Sequence, residues 1–256
     1  MSVIKSCIIA FSMYSKIPVP QFPWKDKDMR YVMLFFPWVG LVIGALTLLW
    51  TWVAARLGCG TLCFALVGTA LPVWISGGIH VDGFMDTMDA FHSYQEKGKK
   101  LEILKDPHIG AFSVISLLVY YLIYVAAYLQ LDRWGMVMLL AAGFYLSRVL
   151  SALGVVSLKC AKRDGLVYLF SDKAQERIVR IGLVLQLLLC VAFILWQSLL
   201  VGSAVLLGAF MTFAYYWYRS YRELDGITGD TAGYFVVLCE GVMVVILAVF
   251  TRVFGA

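Results

Sequence analysis

Residues 76–92 read Ser-Gly-Gly-Ile-His-Val-Asp-Gly-Phe-Met-Asp-Thr-Met-Asp-Ala-Phe-His and follow directly on an apolar run. This stretch holds three of the chain's 16 acidic residues within eight positions, namely Asp82, Asp86 and Asp89. If the segment is helical, the three carboxylates lie on one face within two turns. Carboxylates so close repel one another unless a cation lies among them, and oxygen ligands favour Mg²⁺ or Mn²⁺. The stretch therefore predicts a divalent-metal site at the edge of a membrane rather than a solvated acidic helix face.

The composition around this stretch is that of a membrane protein. Of the 256 residues, 62% are apolar and only 14% are charged, whereas soluble domains carry roughly 45–50% and about 25%. Seven apolar runs approach the ~20 residues that cross a bilayer: about 33–55, 61–77, 111–131, 135–158, 178–197, 199–217 and 233–251. Because these runs show no period of two, we expect helices rather than the strands of a barrel.

These runs predict one all-α domain over residues 1–256, a polytopic bundle of about seven transmembrane helices. Residues 3–13 are apolar but too short to span, and they predict a short N-terminal helix. The six cysteines are scattered, which is typical of small buried side chains and not of a disulfide framework or a zinc site. The net charge of +5 is modest, and we expect membrane lipid but no nucleic acid as a partner.

The basic residues are distributed unevenly between the two sides of the predicted spans. With a cytoplasmic N-terminus, 17 of the 21 Lys and Arg residues fall on the cytoplasmic side and three on the other. The positive-inside rule therefore predicts that the N-terminus is inside and the C-terminus outside. Fourteen of the 16 acidic residues share the cytoplasmic side, so we expect the active site on the inner face of the cytoplasmic membrane.

The segment before the third apolar run combines cationic, acidic and imidazole groups in Lys105-Asp106-Pro107-His108. It predicts a helix start with Asp106 as the N-cap and Pro107 in the first turn. A helix N-terminus beside Lys105 is also suited to phosphate, so Lys105, Asp106 and His108 are candidate substrate contacts.

Two further polar stretches are expected on the cytoplasmic side of the membrane. The basic stretch 159–165 contains Arg163, and it suits a juxtamembrane anchor facing anionic lipid about as well as a substrate contact. The stretch 225–233 is rich in glycine, hydroxyl and carboxylate groups just before the last run. A turn with a helix cap explains part of this stretch, and Thr228 and Asp230 are candidates for contacts with a metal-bound phosphate.

Ionisable residues inside apolar runs are costly and usually functional. Arg148 and Glu240 are such residues, and Arg148 either meets a substrate phosphate or pairs with Glu240. We favour the phosphate for Arg148 and a structural role for Glu240. His80 lies two residues before Asp82, where it is a candidate metal ligand, base or phosphate contact.

Several motifs along the chain match one known family. They are Gly77-Gly78-x-His80-x-Asp82-Gly83-x-x-Asp86-Thr87-x-Asp89, Leu101-Glu-Ile-Leu-Lys-Asp106 with Gly110, Thr228-Gly-Asp-Thr231, Lys16-Ile-Pro-Val-Pro20 and Phe36-Pro37-x-x-Gly40-x-x-x-Gly44. In these motifs and in its length the chain resembles, nearly from end to end, the adenosylcobinamide-GDP ribazoletransferase family, also called cobalamin (5′-phosphate) synthase. The chain departs from the pattern at Lys99, Lys100 and Lys105, where other members often carry Arg.

The resemblance implies a Mg²⁺-dependent transferase of the inner membrane that completes the nucleotide loop of cobamides. In that reaction a hydroxyl of α-ribazole, or of its 5′-phosphate, attacks the phosphorus attached to adenosylcobinamide, and GMP departs. Neutralising charge on the diphosphate suits a metal held by carboxylates together with nearby cations. A homo-oligomer, or association with other enzymes of cobamide assembly, is a further expectation.

The resemblance also assigns roles to the candidate residues. Asp82, Asp86 and Asp89 are the implied metal ligands. Either His80 or one of these carboxylates takes the proton from the attacking hydroxyl. The implied phosphate contacts are Lys105, Arg148 and Arg163, and Asp230 is a further contact of either the metal or ribazole. The remaining candidate substrate contacts are Asp106, His108 and Thr228.

Two alternatives remain open from the residues alone. A CDP-alcohol phosphatidyltransferase has a similar acidic motif with the pattern Asp-Gly-x-x-Ala-Arg, but residues 85–87 supply no Arg and place Asp86 at the Ala position. A cation transporter is the alternative that is not an enzyme. Against a transporter, the sequence predicts that the carboxylates cluster at one face of the membrane, whereas a transport site is expected near the midplane.

Overall fold

A computed structural model describes residues 2–131, 134–162, 170 and 175–253. The described part contains helices and no strand, which confirms the all-α fold. The helices are α1 (Ser2–Tyr14), α2 (Asp26–Met29), α3 (Val32–Leu57), α4 (Thr61–Ser76), α5 (Ile79–His92), α6 (Lys97–Ile103), α7 (Ala111–Tyr128), α8 (Trp134–Ser157), α9 (Glu176–Gln197), α10 (Leu199–Leu224) and α11 (Gly229–Val253).

Six of these helices are long and apolar enough to cross a membrane: α3, α7, α8, α9, α10 and α11. The second of the seven expected spans is α4, which has 16 residues and is followed by α5 at an angle of 93°. Gly77 and Gly78 make this bend with φ angles of 67° and 81°, which L side chains rarely adopt. The short apolar N-terminal helix is confirmed as α1. The chain is therefore a multi-pass membrane protein in which α5 turns away from the spans.

Glycines allow α3 to lie directly against α8. A Cβ atom at Gly40 would lie 2.2 Å from the carbonyl oxygen of Phe144, and one at Gly44 would lie 2.6 Å from that of Ala141. Small residues four apart are a common means of close helix packing in membranes, where no hydrophobic effect drives helices together. This contact makes α8 part of the buried centre of the bundle.

A second pair of glycines brings α5 against the beginning of α11. A Cβ at Gly83 would lie 2.8 Å from the carbonyl oxygen of Asp230, and one at Gly233 would lie 3.2 Å from Cα of His80. Any larger side chain at Gly83 would push the two helices apart. The motif residues of α5 therefore lie beside the first turn of α11, although the two segments are far apart in the sequence.

The loop after α8 is joined to the loop before α11 by a short parallel bridge. The amide of Ala161 donates a hydrogen bond to the carbonyl oxygen of Ile227 at 2.8 Å. The amide of Ile227 donates one to the carbonyl oxygen of Lys159 at 2.9 Å. Gly226 fits here because a Cβ would lie 2.5 Å from the oxygen of Lys159. This bridge brings the basic loop that follows α8 to the N-terminal end of α11.

Candidate active site

Three carboxylates come together where α5 meets α11. Asp82 is exposed at the start of α5, Asp86 follows one turn later, and Asp230 is partly buried in the first turn of α11. Burial raises the pKa of Asp86 to about 6, and the charges of Asp82, Asp230 and Asp89 add to the shift. The carboxylates therefore lie near enough for their charges to act on one another. The cluster predicted on α5 is thus completed by a residue from the other end of the chain.

Asp89 lies at the edge of this cluster and caps another helix. Its Oδ2 accepts a hydrogen bond from the amide of Gly110 at 2.8 Å, and its Oδ1 accepts one from the amide of Ser113 at 2.9 Å. These amides belong to the N-terminus of α7, where a negative charge is favourable. Gly110 leaves the necessary room, because a Cβ there would lie 2.4 Å from Oδ1 of Asp89.

The predicted helix start at Asp106 and Pro107 is therefore wrong. The helix α7 begins at Ala111 and receives its capping carboxylate from α5 rather than from the preceding turn. Asp106 instead accepts hydrogen bonds from the amide of His108 at 3.0 Å and from its Nδ1 at 2.6 Å. A side chain engaged with a residue two positions ahead forms a local turn and does not cap a helix.

The carboxylate cluster fits a divalent cation in its chemistry. Its donors are hard oxygens, and their mutual repulsion, seen in the pKa of Asp86, is relieved by a cation. Within the described ranges, no three His, Cys, Asp or Glu side chains are arranged so that they could hold an ion as they stand. Binding would therefore require the side chains to change rotamer. Asp82, Asp86 and Asp230 are best suited to do so, because both oxygens of Asp89 already accept amide hydrogens.

His80 lies behind the cluster in an aromatic environment. Its ring stacks on Tyr14 with centroids 6.1 Å apart and meets Phe36 edge to face at 5.5 Å. The residue is only 6% exposed, and in the described part of the chain its Nε2 has no hydrogen-bond partner. Burial lowers the pKa of His80 well below its usual range, and the charge of Arg148 adds to the effect. Burial therefore favours the neutral form of the imidazole.

A cavity of about 150 Å³, here called the five-helix pocket, opens between His80 and the carboxylates. Its walls come from the ends of α1, α3, α5, α8 and α11. Tyr14, Met33 and Phe36 contribute aromatic and apolar side chains to its lining, and Gly229 and Gly233 of α11 also line it. The pocket is the space in which a reacting group would meet both carboxylates of its wall, Asp82 and Asp230.

Arg148 is engaged inside the bundle. It is 1% exposed, and its Nη1 donates to Oε1 of Glu240 at 2.7 Å and to the carbonyl of Phe144 at 2.8 Å. Ser147 adds a hydroxyl that donates to the same carboxylate at 3.2 Å. The cavity that Arg148 lines has a volume of about 20 Å³, enough for one water molecule but not for a phosphate group. These contacts favour the structural pair over the phosphate role predicted for Arg148.

Within the described residues, the other predicted substrate contacts lie in two places. Lys105, Asp106 and His108 are exposed on the turn before α7, beside the capped end of that helix. Thr228 is buried and exchanges hydrogen bonds with Thr231, since each amide donates to the other residue's hydroxyl. This reciprocal arrangement is a helix cap. Arg163 lies outside the described residues.

Lys162 lies near the site, although the sequence did not identify it as a candidate residue. It is close enough to Asp230 for its charge to act on that carboxyl group, and its Nζ donates to the carbonyl of Leu101 at 2.8 Å. The basic stretch 159–165 was a signal for it, but only the bridge between Cys160 and Ile227 shows which lysine approaches the carboxylates.

The chain matches one protein family over most of its length. The family model described as Cobalamin-5-phosphate synthase covers residues 6–248. A relative from Lachnoclostridium phytofermentans named adenosylcobinamide-GDP ribazoletransferase is 44% identical over 240 residues, which are 94% of this chain and 92% of that protein. A relative of the same name from Clostridium perfringens is 31% identical over 252 residues, which are 96% of this chain and 98% of that protein. No solved structure matches the chain.

Proposed function

The chain belongs to the cobalamin-5-phosphate synthase family, and on that premise we propose that it joins α-ribazole or its 5′-phosphate to adenosylcobinamide-GDP. The products are GMP and adenosylcobalamin or its 5′-phosphate, which completes the nucleotide loop. The proposal is supported by the name that the relatives share and by their coverage of nearly the whole chain.

The observation that carries this proposal is the close packing of α5 on α11. It places Asp82 and Asp230 in the lining of one pocket, with Asp86 one turn further along α5 and Lys162 close enough for its charge to act on Asp230. Attack on a diphosphate requires this combination of groups, because charge on the bridging and leaving oxygens must be neutralised as the bond breaks.

The proposed transfer forms one bond to phosphorus, breaks another and releases one proton. The hydroxyl oxygen of the acceptor forms a bond to the phosphorus that carries cobinamide, and the bond from that phosphorus to the oxygen of GMP breaks. The hydroxyl proton passes to a base of the protein. His80 is buried among aromatic rings, where the charged imidazolium that would result is disfavoured. A carboxylate of the cluster is the proposed proton acceptor, because the pKa of Asp86, raised to about 6, makes it a stronger base than an ordinary carboxylate.

We further propose that Asp82, Asp86 and Asp230 hold Mg²⁺, with Mn²⁺ as a substitute. When bound, such an ion would neutralise the diphosphate and stabilise the departing GMP. Asp89 supports the site by keeping α7 attached to α5. Lys105 and Lys162 lie on the same side of the bundle and are the proposed contacts for the remaining phosphate charge.

The proposed location is the cytoplasmic membrane, with the site facing the cytoplasm. The charge asymmetry of the loops supports this orientation, because the segments that hold 17 of the 21 Lys and Arg residues include those that follow α5 and precede α11. Association with a second copy or with other enzymes of cobamide assembly stays an expectation.

The direct test is product formation by the purified protein in detergent or liposomes. With adenosylcobinamide-GDP, α-ribazole and Mg²⁺, we expect stoichiometric formation of GMP and the joined product. Omission of α-ribazole should abolish GMP release, which separates transfer from hydrolysis. If the protein instead consumes a CDP-linked lipid, or carries out no transfer at all, the proposal is wrong.

A further inference from the structure

The five-helix pocket has walls of two kinds. Tyr14 and Phe36 pack against each other with ring centroids 4.4 Å apart, and together with Met33 and Val155 they make an apolar, aromatic side. The lining of the same pocket also includes the two acidic residues Asp82 and Asp230. A ligand that fills this space must have a planar or apolar part at one end and a polar part at the other.

Charge restricts the part of the substrates that fits. A phosphate group placed inside the pocket would face two carboxylates, and the described lining residues include no Lys or Arg to offset them. A phosphate group is therefore better accommodated outside the pocket, on the side of Asp230 on which the charge of Lys162 acts.

Size restricts the ligand further. The pocket holds about 150 Å³, about half of the smallest volume typical for pockets that enclose a whole drug-sized ligand, roughly 300 Å³. A macrocycle does not fit, and neither does a complete nucleotide. One planar ring system does fit, with its attached sugar extending toward the carboxylates.

We propose that the five-helix pocket binds the planar base of the acceptor nucleoside, with Tyr14 as its packing surface and the buried ring of Phe36 holding Tyr14 in place. This assignment rests on the proposed function and deepens it by giving the two substrates separate places. With the base against the aromatic side, the sugar hydroxyl lies near Asp82 and Asp230, where its proton is removed and its oxygen meets the phosphorus. The donor approaches from the outer side of the carboxylates.

The test separates the two substrates by their kinetic constants. We expect Tyr14→Leu and Phe36→Leu each to raise KM for the acceptor nucleoside about tenfold, the range found when an aromatic partner of a base is removed. KM for adenosylcobinamide-GDP should stay within about twofold. Phe35→Leu is the matched control, because this neighbour on α3 packs on Trp38 and does not line the pocket. It should leave both KM values unchanged.

A binding measurement keeps the assignment testable if a variant loses turnover. Titration of the metal-free wild-type protein with the acceptor nucleoside alone should show saturable binding, which Tyr14→Leu weakens about tenfold and Phe35→Leu does not. Ser151→Leu, which adds bulk inside the pocket, should compete with the base and weaken binding as well. A rise of KM for the donor alone, or equal rises for both substrates, would overturn the assignment. Failure of the wild-type protein to join the two substrates would instead overturn the proposed function.

Discussion

Asp86 and Asp89 lie one turn apart on α5, yet their carboxylates have different surroundings. The negative charges of Asp82 and Asp230 act on the carboxylate of Asp86 and raise its pKa. The carboxylate of Asp89 instead accepts two hydrogen bonds from backbone amides at the N-terminus of α7. The residue type and the helical spacing are the same in both cases. Their roles differ because one carboxylate has like charges as neighbours and the other has the positive end of a helix.

Substitution of the acidic residues should therefore separate catalysis from stability. Asp82→Asn and Asp86→Asn should lower turnover about 100-fold or more, because they remove charge from the proposed metal site, and they should not lower the Tm, because they relieve repulsion within the cluster. Asp89→Asn should in addition destabilise the protein by about 1–2 kcal/mol, since an amide oxygen caps α7 less well than a carboxylate. Turnover and thermal unfolding of the purified variants measure both effects. Near-normal turnover of Asp82→Asn and Asp86→Asn would rule out a shared metal site.

The raised pKa of Asp86 predicts how metal affinity depends on pH. In the metal-free protein this group has a pKa of about 6, so it is largely protonated below that value and ionised above it. A cation binds the ionised form, and the apparent Kd for Mg²⁺ should rise as the pH falls through about 6. Titrations of binding at about pH 5 and about pH 7.5 check this, with Asp86→Asn as the control. An affinity that is equal at both values would contradict the prediction.

At the scale of helices, the site depends on how closely α5 approaches α11. Gly83→Ala places a methyl group 2.8 Å from the backbone of Asp230, which must move. We expect a destabilisation of about 1–3 kcal/mol and a large loss of turnover, because the carboxylates are separated. Gly98→Ala in α6 has nothing within 4 Å and should be neutral in the same assays. Equal behaviour of the two variants would show that the helix contact does not organise the site.

The pair between α8 and α11 leads to a second prediction at this scale. Arg148→Met leaves the carboxylate of Glu240 without its partner in the bundle, which should cost about 3–5 kcal/mol. The double variant Arg148→Met with Glu240→Gln should recover most of the folded yield and much of the activity. Expression and activity of the single and double variants test this. A double variant that folds normally but has no activity would restore the phosphate role for Arg148.

At the scale of the whole molecule, the order of the membrane-spanning helices places the candidate active site at one end of the bundle. Reporter domains fused after Arg56 or Arg252 should appear outside the cell, because these residues end α3 and α11 away from the site. Reporters near Gly98 or Arg222 should appear inside. An inside signal after Arg56 would contradict the proposed orientation and the count of spans between α1 and α5.

The amino-acid sequence by itself determined the class of fold and the main chemical group. Apolar runs of nearly 20 residues must form helices in lipid, because the backbone has no other hydrogen-bond partners there. The spacing of Asp82, Asp86 and Asp89 depends only on local helical geometry, and the structure confirms that they occupy one helix. The family was also recognisable, since its motifs are short and local.

Only the tertiary structure decided which residues act together. Asp230 lies near the carboxylates of α5, Asp89 caps the N-terminus of α7, and Arg148 pairs with Glu240. The local sequence around each residue does not show which of its candidate partners it contacts. Each of these contacts depends on two helices approaching at a particular depth and rotation, which glycine contacts set across long separations in the sequence. The five-helix pocket exists for the same reason, because its walls are the ends of helices that meet only in the folded bundle.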